Sequence, residues 1–270
     1  MRIVGIEEHV MRPGSEKSAT HLTEAARAKL HPSVEQRIAD MDAAGISVEV
    51  LSLPVASPGL DWSAANPLAE VMPLDESALP IAQGVNEELY QMVSKHPDRF
   101  SAFATLPAGA PKLAAAELER AVKELGFVGA YIWGTIGDQF LDEPRFAPIL
   151  ETAARLDVPI YLHPGPPPKR IDDVYYTGDF NPAVSAALST VGYGWHYEVS
   201  LHVIRLIVGL CDRAAGHGDG VGRPPDLLPA PLGRIHAGSP VHGRDHGPGL
   251  RRMGPPHVRH RPAQPGAGLF

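Results

Sequence analysis

The sequence predicts an α/β fold, with parallel strands alternating with crossover helices over residues 1–209 and an irregular Gly/Pro/Arg/His-rich tail over 210–270. Three observations carry this. Short apolar runs alternate with helix-length amphipathic segments from residue 2 to residue 208. Glycine and proline punctuate the ends of those segments. From Cys211 onward the only Phe, Tyr or Trp is Phe270, and no lysine follows Lys169. Such a tail buries too little apolar surface to offset its ordering entropy, so disorder is expected there.

Arg2–Ile6 is a brief apolar run that ends in charge. Ser33-Val34-Glu35-Gln36 has the form of a helix start, and that helix runs through Met41 to a stop at Gly45. Val48–Leu53 is the next strand, closed by Pro54. Ser57–Pro80, with prolines at 58, 67, 73 and 80, reads as a long loop, and loops of that length commonly cover a site. Ile81–Lys95 is a helix, Phe100–Leu106 a strand, and Lys112–Leu125 an alanine-rich helix ended by Gly126. Val128–Trp133, Phe146–Leu156 and Pro159–His163 continue as strand, helix and fifth strand. A helix over Pro182–Val208 follows, broken near Gly192 and Gly194. Nothing after Val208 resumes the alternation: Val221–Ile235 holds leucines, but proline and glycine interrupt it. A closed barrel and a doubly wound sheet share this alternation, so periodicity does not choose between them.

Composition narrows the function classes. A chain of 270 residues can hold one large domain, since an eight-stranded α/β barrel needs about 250. A formal net charge of −7 argues against a nucleic-acid partner. The single cysteine, Cys211, forms no intrachain disulfide. No apolar run approaches the roughly 20 residues that span a bilayer, and the N-terminus is charged too soon for a signal peptide. A soluble, cytoplasmic protein with no membrane partner is expected.

Glu7 and His9 stand two apart at the end of the first strand, so strand alternation points both side chains one way. At the C-terminal mouth of a parallel barrel, such side chains can ligate a divalent metal. A Glu-x-His pair is also a common solvated loop start. His163 closes the fifth strand before Pro164-Gly165, a ligand position or a histidine bonded to backbone. Tyr131 and Trp133 alternate on the fourth strand and share one face, toward the mouth or into the core.

Together with these residues, an ordered set of motifs over residues 1–208 resembles one family. The set comprises Ile6-Glu7-Glu8-His9, Arg37 to Ile46 running into Val50-Leu51-Ser52-Leu53, and His96-Pro97-Asp98-Arg99-Phe100. It continues with Phe103 to Pro107, Gly126 to Ala130, Tyr161-Leu162-His163-Pro164, and Gly194-Trp195-His196 with Glu198, His202 and Arg205. The chain resembles the amidohydrolase-related family that includes the γ-resorcylate, 2,3-dihydroxybenzoate and aminocarboxymuconate semialdehyde decarboxylases. The resemblance implies a (β/α)8 TIM-type barrel with one divalent metal, zinc or manganese, at its C-terminal mouth. Glu7, His9 and His163 match the family's ligands on the first and fifth strands. It further implies a small carboxylic acid substrate, aromatic or unsaturated, and homo-oligomers in full-length relatives. Non-oxidative decarboxylation is the leading activity, and metal-dependent hydrolysis is the alternative.

The sequence departs from that pattern after Val208. The family continues with a strand ending in Gly-His, and an eighth-strand aspartate serves as ligand and proton donor. Here Cys211-Asp212-Arg213 runs at once into Ala214-Ala215-Gly216-His217. His217 is the one candidate for a displaced sixth-strand histidine, and Asp245 has no strand before it. The barrel is therefore expected to be incomplete, with five recognisable strands, and turnover to be impaired. A frameshift in a GC-rich gene would produce such a tail. A reading from another class is a non-catalytic protein whose tail, with histidines 217, 236, 242, 246, 257 and 260, binds metal or nucleic acid. Trp195, His196, Glu198 and His202 are as readily packing residues as site residues.

Overall fold

The structure is a computed structural model and describes residues 2–10, 33–53, 55–56, 70–215 and 235–237. Strands β1 (Val4–His9) and β2 (Val48–Ser52) are followed by a two-residue parallel pair, β3 (Val55–Ala56) and β4 (Glu70–Val71). Then come β5 (Phe100–Thr105), β6 (Gly129–Trp133), β7 (Ile160–His163) and β8 (Ile235–Ala237). The main sheet has the order β1-β2-β5-β6-β7-β8, and every neighbouring pair is parallel. Sequential order around the sheet is the pattern of a barrel wall, with a helix in each crossover. The fold is a partial (β/α)8 barrel.

The crossover helices are α1 (Val34–Ala44), α2 (Ala78–Val93), α3 (Pro111–Glu124) and α4 (Ala147–Arg155). After β7 come α5 (Lys169–Tyr175), α6 (Pro182–Ala187) and α7 (Gly194–Ala215). The expected caps of α1 are present. Ser33 Oγ accepts from the Gln36 N–H, and Gly45 sits at φ 73°, where a Cβ would be strained. The break expected near Gly192 is a single π-helical turn over Leu188–Gly192, after which α7 restarts at Gly194.

The structure differs from the sequence reading in three places. The segment read as a loop over Ser57–Pro80 contains β4, which pairs with β3 just before it, and its last three residues already belong to α2; residues 57–69 lie outside the described ones. The short α5 was not anticipated, since Lys169–Tyr175 follows a proline run and buries no residue of its own. A sixth strand, Ile235–Ala237, pairs with Ile160–Leu162, although no strand was expected after Val208. Three residues are too few for period-two alternation to register against surrounding proline and glycine.

Alternation sorts the strand residues onto two faces. Leu51, Ala102, Ala104, Ala130, Ile132, Ile160 and Leu162 face the helices and merge with Leu89, Leu118 and Ile149 into one aliphatic core. Full burial of each leucine or isoleucine among them contributes roughly 2 kcal/mol. Val50, Phe103, Tyr131, Trp133 and Tyr161 form a second buried cluster on the opposite face, the barrel interior. Asn86 on α2 holds the end of β5. Its amide donates to the Thr105 carbonyl at 2.9 Å and accepts from the Thr105 N–H at 2.8 Å.

Candidate metal centre

Glu7, His9 and His163 converge: one ligand atom from each lies within 4.8 Å of the others. Glu7 and His9 come from the end of β1, which kinks through a register shift between Gly5 and Glu8 against β2. His163 ends β7, so the three residues span the interior of the partial barrel at the strands' C-terminal ends. His9 Nε2 and His163 Nε2 are 3.1 Å apart, and Glu7 Oε1 is 3.5 Å from His163 Nε2.

Hydrogen bonds fix both rings. His163 Nδ1 lies 2.6 Å from the Pro164 carbonyl oxygen, which can only accept, so Nδ1 carries a proton and Nε2 is the atom turned to the cluster. His9 Nδ1 is 2.8 Å from Ser52 Oγ on β2, a hydroxyl able to play either role. Burial, reinforced by His163, pushes the His9 pKa down to about 3, with Glu7 opposing, so its imidazole is neutral at ordinary pH. Glu7 is held below the usual carboxylate range, first by its hydrogen bond to His163, against the effect of partial burial.

Two imidazole nitrogens facing one another at 3.1 Å beside a carboxylate fit a shared cation. The donor set, two nitrogens and one carboxylate oxygen, suits zinc or manganese.

A clamp outside the barrel holds β1 in place. Arg37 on α1 pairs with Glu49 at 2.5 Å, and both guanidinium NH2 groups reach the His9 carbonyl at 3.3 Å. Glu8 is 3.7 Å from the same guanidinium. The sequence reading named Arg37 within a motif but gave it no role. The available signal was Glu49, a carboxylate in the middle of an apolar strand, which requires a buried partner.

The floor beneath the cluster is aromatic. Phe103 and Tyr161 stack with centroids 5.5 Å apart, and Tyr131 stacks on Tyr161 at 5.8 Å. Trp133 lies 4.4 Å from the His163 ring, and Trp195 on α7 stands edge-on to it at 6.1 Å. Burial, followed by neighbouring negative charge, pushes the Tyr131 and Tyr161 phenols upward, so both remain protonated donors. A pocket beside this floor is lined by Met72, Leu74, Thr105, Tyr131 and Trp133. Tyr131 and Trp133 thus face the interior next to the cluster.

Other flagged residues have different settings. His202 accepts the Leu141 N–H at 2.9 Å, and burial pushes its pKa down to about 4, which makes it a packing histidine. Arg205 pairs with Asp142 at 2.9 and 3.0 Å and fastens α7 to the segment after β6. Glu198 is 5% exposed, and burial pushes its carboxyl up to about 7. His217, Asp245 and the other tail histidines apart from His236 lie outside the described residues, and of His236 only its place in β8 is described.

Comparison with known proteins places the fold in a family. The sequence profile of the amidohydrolase family matches residues 28–216. A decarboxylase, orsB, of Emericella nidulans is 40% identical over 152 residues, covering 55% of this chain and 46% of its own length. The γ-resorcylate decarboxylase of Rhodococcus jostii is 31% identical over 268 residues, covering 93% of this chain and 75% of its own. Among solved structures, the dihydroxybenzoic acid decarboxylase of Polaromonas, with bound manganese and 2-nitroresorcinol, superposes with a TM-score of 0.62. It is 32% identical and covers 77% of this chain and 60% of its own. The chain thus spans about half to three quarters of the length of these relatives. The profile match and the ordered barrel strands lead to one assignment: this chain belongs to the amidohydrolase family.

Proposed function

We propose that the chain is a metal-dependent carboxy-lyase for a small aromatic or unsaturated acid, with impaired turnover. The observation that carries this reading is the convergence of Glu7, His9 and His163 at the strand ends. The decarboxylases among the relatives favour loss of CO2 over hydrolysis. Manganese bound in the Polaromonas structure supports that ion over zinc. By the same resemblance, the enzyme-derived unit runs past the expected boundary at 209 to the end of α7 at Ala215, Ile235–Ala237 joins its sheet, and the full-length enzyme is a homo-oligomer.

Glu7, His9 and His163 would hold the ion. When bound, a divalent cation there would neutralise and orient an acid's carboxylate and adjacent hydroxyl. The chain's own residues supply the remainder. Ser52 and the Pro164 carbonyl keep both imidazole rings turned toward the cluster. Phe103, Tyr131, Trp133 and Tyr161 offer a dry, flat surface on which an aromatic ring can stack. As the C–C bond breaks, its electron pair stays on the ring carbon, and one proton must be delivered there as CO2 departs. Among the described residues no further carboxylate, histidine or cysteine joins the cluster to deliver it. Loss of a general acid commonly costs 10²–10⁴-fold, roughly the impairment proposed.

Calorimetric titration of the full chain with Mn²⁺ and Zn²⁺ tests the centre. One ion should bind per chain, and His163→Ala should weaken binding by about 100-fold or more, beyond the usual cost of an outer-sphere change. Absence of binding by the unaltered chain overturns the metal centre. Release of CO2 from 2,6-dihydroxybenzoate at the ~10 s⁻¹ of an ordinary enzyme overturns the impairment alone.

A further inference from the structure

The interior face of β6 carries a polar atom that the reading above does not use. Tyr131 is 3% exposed, yet its hydroxyl has no hydrogen-bond partner among the described residues. Leaving a buried hydroxyl unpaired costs about 1–3 kcal/mol, so such a group in a folded protein calls for an explanation. Its position supplies one. The Tyr131 ring lies 5.9 Å from His9 and 5.5 Å from His163, on the inner side of the cluster, and it also lines the pocket under Met72 and Leu74. Around it are the rings of Tyr161 and Trp133.

We infer that the Tyr131 hydroxyl is a ligand-binding group that donates a hydrogen bond to an anionic oxygen, carboxylate or phenolate, of an acid held at the Glu7–His9–His163 cluster. This rests on the metal-centre reading proposed above and adds a substrate contact to it. The chemistry is specific. A phenol hydroxyl is a hydrogen-bond donor, and no described residue accepts from this one, so an acceptor brought in by the ligand would relieve it. An ortho-hydroxybenzoate brings both kinds of oxygen on a flat ring that suits the aromatic floor. An aliphatic acid brings only the carboxylate.

Tyr131→Phe removes the hydroxyl and keeps the ring, which allows two readouts of opposite sign. A hydroxyl serving the fold would lower the melting temperature on removal, whereas one awaiting a ligand leaves the melt unchanged or raises it. The manganese-loaded full chain would be titrated with salicylate, and the variant compared with the unaltered chain. The expected result is salicylate affinity reduced about tenfold, manganese affinity unchanged and a melting temperature equal or higher. Equal salicylate affinity in the two proteins overturns the inference, as does a lower melting temperature with unchanged affinity. Failure of the unaltered, manganese-loaded chain to bind salicylate overturns it as well. Failure of the unaltered chain to bind manganese is a different result, since it removes the metal centre itself.

Discussion

The two faces of the sheet treat polar groups in opposite ways. On the helix side Glu49 and Glu117 have built-in partners. Glu49 pairs with Arg37, and Glu117, 1% exposed, is gripped by Arg120 at 2.8 and 2.9 Å and by the Asn86 amide at 2.7 Å. On the interior side the polar atoms face one another or a cavity: His9 Nε2 and His163 Nε2 meet at 3.1 Å, and the Tyr131 hydroxyl has no hydrogen-bond partner among the described residues. Paired buried charges hold a fold in one arrangement, while unpaired groups mark where an incoming ligand completes the set.

Arg37 is where that contrast can be broken, because it belongs to the outer face yet carries the His9 carbonyl. Arg37→Ala leaves Glu49 buried without its partner, and stability in a urea titration should fall by about 3–5 kcal/mol. Manganese affinity should fall with it. Loss of stability at unchanged affinity would instead show that the two faces are independent. Arg37→Lys, which keeps the charge but not the two-pronged reach, should recover stability better than affinity.

Helix α7 sharpens the contrast, since it carries one satisfied and one strained buried group. The Glu198 carboxyl is pushed up to about 7 in the fold, above its ordinary 4.5. Its stabilising contribution is therefore complete below pH 4.5 and lost as pH rises through 7. Glu198→Gln should raise stability at pH 8, by at most about 3 kcal/mol, and change little at pH 4.5, as melts at the two pH values would report. His202 acts with the other sign: its contribution is present above pH 6.5 and lost as pH falls toward about 4.

The smallest expected effect is at Ser52. Removing its hydroxyl in Ser52→Ala frees the His9 ring, and manganese should bind about tenfold more weakly with the melt nearly unchanged. An unchanged affinity would mean that the strand alone orients His9.

How much of this was legible depends on the range over which each signal acts. Ser33 and Gly45 announced the ends of α1 because caps are local hydrogen-bond problems. Glu7, His9 and His163 were legible as strand-end residues, since period two is also local, and family resemblance joined them. The 3.1 Å meeting of two rings 154 residues apart is a product of tertiary structure. Tyr131 and Trp133 were assigned a common face, but choosing interior over helix side required the sheet's curvature. The strand at Ile235–Ala237 was hidden because proline and glycine on either side mask so short a run.

One feature low in the barrel mouth limits how such a centre can diversify. A Cβ on Gly165 would lie 2.8 Å from the Gly134 Cα, and Gly134 itself adopts φ 55°. Even a methyl group there would act as a wedge between β6 and β7 and tilt His163 away from its companions. The spacing of these strand ends therefore has little room to change, and new specificities within this scaffold have to be written at other positions.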